Sequence, residues 1–475
     1  MNKLKLFIEN FLVYGLGGII SKIIPLIMVP IVTRLMPCSD YYGISDLSNT
    51  VVSFASALAV MGMYDAMYRM FFEKEDVDFK KSICSTALMF TFFTSIIVFV
   101  ILLIFKEKVA YYFFSDRKYS YIVYLSAMAT LVGATNNIVS APIRMQNRRT
   151  VFLVTNTLSP LISYTIAVPM LLAGYYTTAL PLAAVVSGIT MEISFGVMNR
   201  EWFQIKRVDF SLLKQLLKIA IPLLPNFLIY WIFNSCDKIM ITNMIGIGAA
   251  GIYSVGSKLG NCSQLIYTAF AGGWQYFAFS TMKEDNQVKN NSLIFEYLGI
   301  ISYVATAFVC ALSLVIFHIL FTQQYQSGYI IAPYLFLAPL LQMLFQVAAN
   351  QFLVVKRTWP NMFILGVGAS VNIGINYFLI PVLGIEGASI ATLMGYAISD
   401  IVCIVVLCKM RLMVIENRFI LASLGMIIYF VVWRVLISNN TLLSLLWAIL
   451  MCVYFIILYM DEIKKIKEMI TSAMN

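Results

Sequence analysis

Over its 475 residues the chain is 61% hydrophobic and 12% charged, against roughly 45–50% and about 25% in soluble domains. A soluble fold cannot hide that much apolar surface, so composition excludes one and predicts an all-α integral membrane protein with lipid as its apolar solvent. The net charge of +10 would point to nucleic acid in a soluble protein. Here it is assigned to basic loops kept on the cytoplasmic side of a membrane, and no nucleic-acid partner is expected.

A bilayer core takes about 20 apolar residues per helix. On that measure about fourteen spans fall near 11–33, 44–67, 83–105, 120–142, 151–173, 178–199, 216–242, 251–278, 293–318, 329–353, 361–382, 385–408, 418–437 and 441–460. The first apolar stretch is too long for a signal peptide and no small-residue cleavage site follows it, so it reads as the first span. Long helical runs, in place of ten-residue alternating segments, argue against an outer-membrane barrel. The eight cysteines lie mostly inside apolar runs with no C-x-x-C spacing, so neither a metal site nor a disulfide frame is expected. Cys38 and Cys236 fall near outer helix ends, and sequence does not pair them.

Lys and Arg divide unequally between alternate loops. With the N-terminus inside, about 24 fall on the cytoplasmic side and about 7 outside (Arg34, Lys106, Lys108, Arg117, Lys118, Lys238 and Arg434). This bias predicts cytoplasmic termini and an even number of spans. No outer connection exceeds roughly fifteen residues, which leaves no room for the catalytic outer loops of a membrane glycosyltransferase or polymerase. No enzymatic activity and no cofactor are expected.

The chain also repeats itself. TRLMPCSDYYGIS at 33–45 and TNMIGIGAAGIYS at 242–254 each place a Thr at a helix end, a short turn, and Gly-Ile opening the next helix, so that Gly43 corresponds to Gly251. The two segments lie six spans apart, with the basic stretch from Arg200 to Lys218 between them. An even repeat keeps both copies in one orientation. The expected organisation is an N-lobe at 1–208, a C-lobe at 209–410 related to it by a pseudo-twofold axis, and a terminal helix pair with a cytoplasmic tail at 411–475.

Four segments in order, YGLGGIISKIIPLIMVPIVTRLMPCSDYYGISDL (14–47), MGMYDAMYRMFF (61–72), SCDKIMITNMIGIGAAGIYSVGSKL (235–259) and VNIGINYFLIPVLGIEGASIATLMGYAISD (371–400), resemble the multidrug/oligosaccharidyl-lipid/polysaccharide (MOP) flippase superfamily. Within it they resemble the bacterial polysaccharide transporters that include O-antigen repeat-unit flippases. The resemblance implies an alternating-access flippase of the cytoplasmic membrane. Its cargo would be an undecaprenyl-diphosphate-linked oligosaccharide for O-antigen or capsule, and its partners a polysaccharide polymerase and a chain-length regulator. A cation-coupled drug exporter of the same superfamily and a lipid II flippase are the alternatives; a non-transporting scaffold is a third.

A diphosphate needs positive charge in a wet cleft, and a Lys at a helix centre costs about 2.5–3.5 kcal/mol on the insertion scale. Lys22, sharing a face with Tyr14 and Gly18, and Lys258, sharing one with Ser254 and Asn261, are therefore expected in a cavity. Snorkelling to the headgroups is the plainer alternative for both. Asp46, Asn49, Ser53 and Ser56 form a polar stripe that either lines a lumen or binds helices together. Asp65 and Arg69, four residues apart, read either as a local salt bridge or as gating and cavity residues. Asp237 and Lys238 are adjacent and point about 100° apart, so each is expected to meet a different partner. Glu192, Glu296 and Asp400 are further intramembrane acids able to take a coupling ion. His318 reads as structural, and Trp274 and Tyr276 as interface anchors.

Overall fold

The computed structural model describes residues 22–268, 270, 274, 286–355, 357 and 359–462. Among these, twelve helices are long and apolar enough to cross a membrane. They coincide with every predicted span except the first and the eighth, which fall partly outside the described residues. Contacts within the chain divide it into two units, one of Met1–Ser254 with Asn376–Ile385, the other of Val255–Ile375 with Glu386–Asn475.

The first unit opens with helix α1 (22–35), followed by α2 (Ser39–Val60), α3 (Met63–Phe71), α4 (Val77–Ile104), α5 (Lys106–Phe114), α6 (Ser120–Met145), α7 (Arg149–Leu172) and α8 (Ala179–Met198). The amphipathic α9 (Phe210–Ala220) leads into α10 (Leu224–Met244), and α11 (Ile247–Gly260) begins in this unit. Asp209 caps α9 from outside the span. Hydrogen bonds from Ser211, hydroxyl first and backbone N–H second, hold its carboxyl below the usual carboxylate range.

The expected second span is not one helix. It breaks at Met61 and Gly62, both in the left-handed region with φ of 50° and 76°. A Cβ on Gly62 would stand 2.7 Å from the Ala220 carbonyl oxygen, so only glycine lets α9 pack this closely. Met63, Met67, Ile83, Leu216 and Ala220 fill the core around that junction. Asp65 and Arg69 thereby leave the axis of α2 and ride on α3. Both are exposed, and among the described residues they make no ion pair with each other; the expected local salt bridge does not form.

The second unit continues with helical residues 263–268 (α12), then α13 (Gln287–Leu320), α14 (Ala332–Val354), α15 (Trp359–Leu383), α16 (Ile385–Lys409), α17 (Asn417–Val432) and α18 (Thr441–Leu458). Here α14 is wrapped by protein, with 94% of its most apolar window buried, whereas α18 buries 22% of its own. Both windows are apolar, so the open face of α18 is a lipid-facing surface. The predicted eighth span is also interrupted, by a turn at Asn261 and Cys262 between α11 and α12.

Candidate functional site

The matched glycines meet. A Cβ on Gly43 would collide with the Ile247 carbonyl oxygen, and one on Gly251 with the Ser39 carbonyl oxygen. Gly251 follows Gly43 by 208 positions, and Ile247 follows Ser39 by the same 208. The contact is therefore reciprocal: position 43 rests on 247 as 251 rests on 39, the signature of a local two-fold relation. Absent side chains let α2 and α11 cross with their backbones in contact.

One turn further along, the same relation pairs Asp46 with Ser254. Asp46, 4% exposed, accepts a hydrogen bond from the Ser254 hydroxyl at 2.7 Å and an ion pair from Lys238 Nζ at 2.5 Å. Asp237, 3% exposed, faces elsewhere. It accepts from the Tyr253 hydroxyl at 2.7 Å and from Asn376 Nδ2 at 2.8 Å. The adjacent Asp237 and Lys238 do meet different partners, as the 100° step requires. The cluster joins α2, α10, α11 and the end of α15 through two buried carboxylates and one half-buried lysine.

Beside it lies a cavity of about 420 Å³. Ser53, Ser56 and Asp65 contribute to one side, and Tyr230, Trp231 and Asn234 of α10 to another. Trp231 Nε1 donates to Ser53 Oγ at 3.1 Å, and its ring packs on Phe54 with centroids 4.7 Å apart. The polar stripe of α2 thus does both things open to it. At Asp46 it binds helices together, and at Ser53 and Ser56 it lines a lumen. Asn49, between the two, is exposed.

Lys22 is exposed at the start of α1, Lys258 is half-buried in α11, and Asn261 is exposed in the turn after it. Glu192 of α8 is half-buried and accepts from the Thr135 hydroxyl at 2.8 Å. Glu296 of α13, 1% exposed, pairs with Arg418 at 3.3 Å and accepts the Glu416 N–H at 3.0 Å. Asp400 of α16 is 5% exposed, and both its carboxyl oxygens lack a hydrogen-bond partner among the described residues. Two of the charges assigned to outer loops are in fact engaged: Lys238 with Asp46, and Arg434 with Glu386 at 2.5 Å. Cys38 and Cys236 form no disulfide, and the Cys236 thiol meets Asp237 Oδ1 at 3.5 Å. His318 Nδ1 bonds the Leu314 carbonyl at 2.8 Å. Trp274 is buried and stacked on Phe270, not open at an interface; Tyr276 lies outside the described residues.

Tyr253, Asn376, Trp231 and Asn234 were not singled out from sequence. Trp231, Asn234 and Lys238 recur at helical spacing along α10, a polar stripe that could have been read. Asn376 and Tyr253 could not, because their roles depend on which helix Asp237 faces.

The helical architecture is one shared with solved flippase and multidrug-transporter structures. The lipid II flippase MurJ, in an inward closed conformation, aligns with a TM-score of 0.70 over 95% of this chain and 100% of its own, at 14% identity. An inward-facing MATE family multidrug resistance transporter of the MOP superfamily aligns at 0.63, over 83% of this chain and 98% of its own, also at 14% identity. A MATE in a straight conformation follows at 0.59, over 86% and 95%, with 12% identity. No curated protein matches by sequence. A family model described as polysaccharide biosynthesis protein matches residues 31–329, and the chain belongs to that family.

Proposed function

We propose that the protein is a flippase that carries undecaprenyl-diphosphate-linked oligosaccharide repeat units across the bacterial cytoplasmic membrane for O-antigen or capsule assembly. The observation that carries this reading is the 420 Å³ cavity, with indole and phenol rings on one side and hydroxyl and amide groups on the others. Sugar rings present apolar faces to aromatic rings and hydroxyl edges to Ser and Asn. The family to which the chain belongs supports the same cargo class.

In this reading residues 1–208 and 209–410 are lobes that rock about the glycine crossing, and 411–475 forms an appended helix pair. The Asp46–Lys238–Ser254 contact acts as a gate that opens when the pair separates, with Asp237 next to Lys238 in α10 and Asp65 a second gating residue on the cavity wall. Lys22, Lys258 and Arg69 meet the diphosphate, while Asn49, Ser254 and Asn261 serve the wet path. Asp400, Glu192 and Glu296 are the acids available to a coupling ion, and Asp400, with its oxygens unbonded, is the foremost. Both termini lie in the cytoplasm, and polymerase and chain-length regulator take the delivered units.

Translocation of a fluorescent undecaprenyl-diphosphate oligosaccharide in proteoliposomes tests this. The Lys22→Gln/Lys258→Gln double variant should insert normally and lose at least tenfold in translocation rate. Native rates in that variant would remove the two lysines from the pathway.

One observation favours a second reading. The cavity lining holds a carboxylate, Asp65, and aromatic rings but no basic side chain, which suits a cationic drug. Efflux of ethidium by cells expressing the protein, abolished in Asp65→Asn with glycan translocation absent, would favour the exporter.

A further inference from the structure

A second cavity, of about 290 Å³, lies among α3, α6, α7 and α8 of the first unit. We propose that it is a subsite for a sugar bearing an anionic group, with Arg144 as the residue that reads the charge. This rests on the glycan-transport reading above.

The lining is polar and carries Asn136, Asn137, Ser140 and Asn156 with Arg144 and Tyr64, and it includes no carboxylate. The Arg144 guanidinium lies 4.6 Å from the centre of the Phe152 ring, and its NH1 donates to the Tyr64 hydroxyl at 3.5 Å. Two rings thus hold the cation in place. A guanidinium has five N–H donors, and one long bond to a phenol uses little of that capacity. Among the described residues Arg144 has no acidic partner. An arginine that merely snorkels to headgroups needs no such polar cup around it.

The amides also have capacity to spare. Asn136 Oδ1 is buried with no hydrogen-bond partner among the described residues. Asn156 Nδ2 is spent on the Phe152 carbonyl at 2.9 Å, which leaves its oxygen as an acceptor. Amide oxygens accept from sugar hydroxyls, and a guanidinium takes a carboxylate or phosphate through two parallel bonds. One monosaccharide fits the volume. Tyr64 and Asn137 line both this cavity and the 420 Å³ one, so the two share a wall. A glycan with neutral rings against Trp231 and Tyr230 can place an acidic sugar beside Arg144.

An anionic oxygen cluster could come from a uronate or phosphorylated sugar, or from the carrier's own diphosphate. The purified full chain in nanodiscs is titrated calorimetrically with a galacturonate trisaccharide, with its carboxyl-reduced neutral counterpart, and with inorganic pyrophosphate. The acidic trisaccharide should bind at least tenfold tighter than the neutral one. Arg144→Gln should erase that difference, and Arg144→Lys should keep part of it. Asn137→Asp, at an exposed position, should weaken the acidic ligand more than the neutral one, so the test does not depend on one variant folding. Equal affinity for the two trisaccharides in the native protein overturns the proposal. Displacement of the acidic trisaccharide by equimolar pyrophosphate also overturns it, giving the site to the diphosphate. Glycan translocation without acid preference defeats this inference alone, whereas no translocation and no glycan binding defeats the transport reading with it.

Discussion

The buried carboxylate Asp46 of the first unit meets a lysine, whereas Glu296 and Glu386 of the second meet arginines, and the two kinds of cation hold their partners differently. Lys238 meets Asp46 through its ammonium, on the same carboxylate oxygen that accepts from Ser254. Arg418 instead gathers Glu296, Glu416 and Glu462 at 3.3, 3.0 and 3.2 Å, with its guanidinium 4.8 Å from the Tyr459 ring. Tyr459 donates to Glu296 as well, at 3.3 Å. Arg434 repeats the pattern, holding Glu386 through two nitrogens at 2.5 and 2.7 Å. A planar guanidinium makes several fixed bonds at once, whereas an ammonium is a compact point charge on a flexible stem. The arginine clusters therefore fasten α17 and α18 to α13 and α16 as permanent parts. In the proposed transport cycle the lysine pair is the contact that parts and re-forms.

The strongest way to break this comparison is to remove a clamp. Arg418→Ala leaves Glu296 buried without its cation and should destabilise the protein by about 3–5 kcal/mol, seen as a large drop in thermal unfolding temperature in detergent. Arg418→Lys should recover only part of that loss. Full recovery would show that the fork geometry has no role.

The lysine pair separates stability from transport. Lys238→Met removes an ammonium partner from the buried Asp46 carboxylate and should cost about 3 kcal/mol. Adding Asp46→Asn removes the buried charge and should restore most of that stability without restoring translocation. A double variant that transports at the native rate would reduce the pair to structural glue.

A smaller effect sharpens the two-fold relation. Gly43→Ala and Gly251→Ala each push a methyl group into the opposite backbone and should each cost about 1–3 kcal/mol. Chemical denaturation should return similar penalties for both. A penalty at one position and none at the other would contradict the reciprocal contact.

The helices were legible because lipid imposes a simple demand: every backbone polar group in the hydrocarbon must bond within its own helix, over about 20 apolar residues. That demand leaves its mark along the chain, and the twelve complete helices fall where hydropathy puts them. The repeat was legible for a similar reason, since Gly43 and Gly251 are needed where side chains would collide. The break at Met61 and Gly62 was not. A single glycine in an apolar run carries no mark of the Ala220 carbonyl that forbids a side chain there.

The charges divide along the same line. That Asp237 and Lys238 must look different ways followed from helix geometry, but their partners did not. Lys238 reaches Asp46 across 192 positions of chain, and Asn376 reaches Asp237 across 139. Arg144 was counted only as a cytoplasmic loop charge, because the polar cup around it is assembled from four helices. Sequence by itself determined a many-span helical membrane protein, its matched glycine pair and its short list of intramembrane charges, because solvent preference acts residue by residue. Only the tertiary structure decided which charges are spent on one another and which face a cavity, because a partner is chosen by the packing of helices distant in the chain.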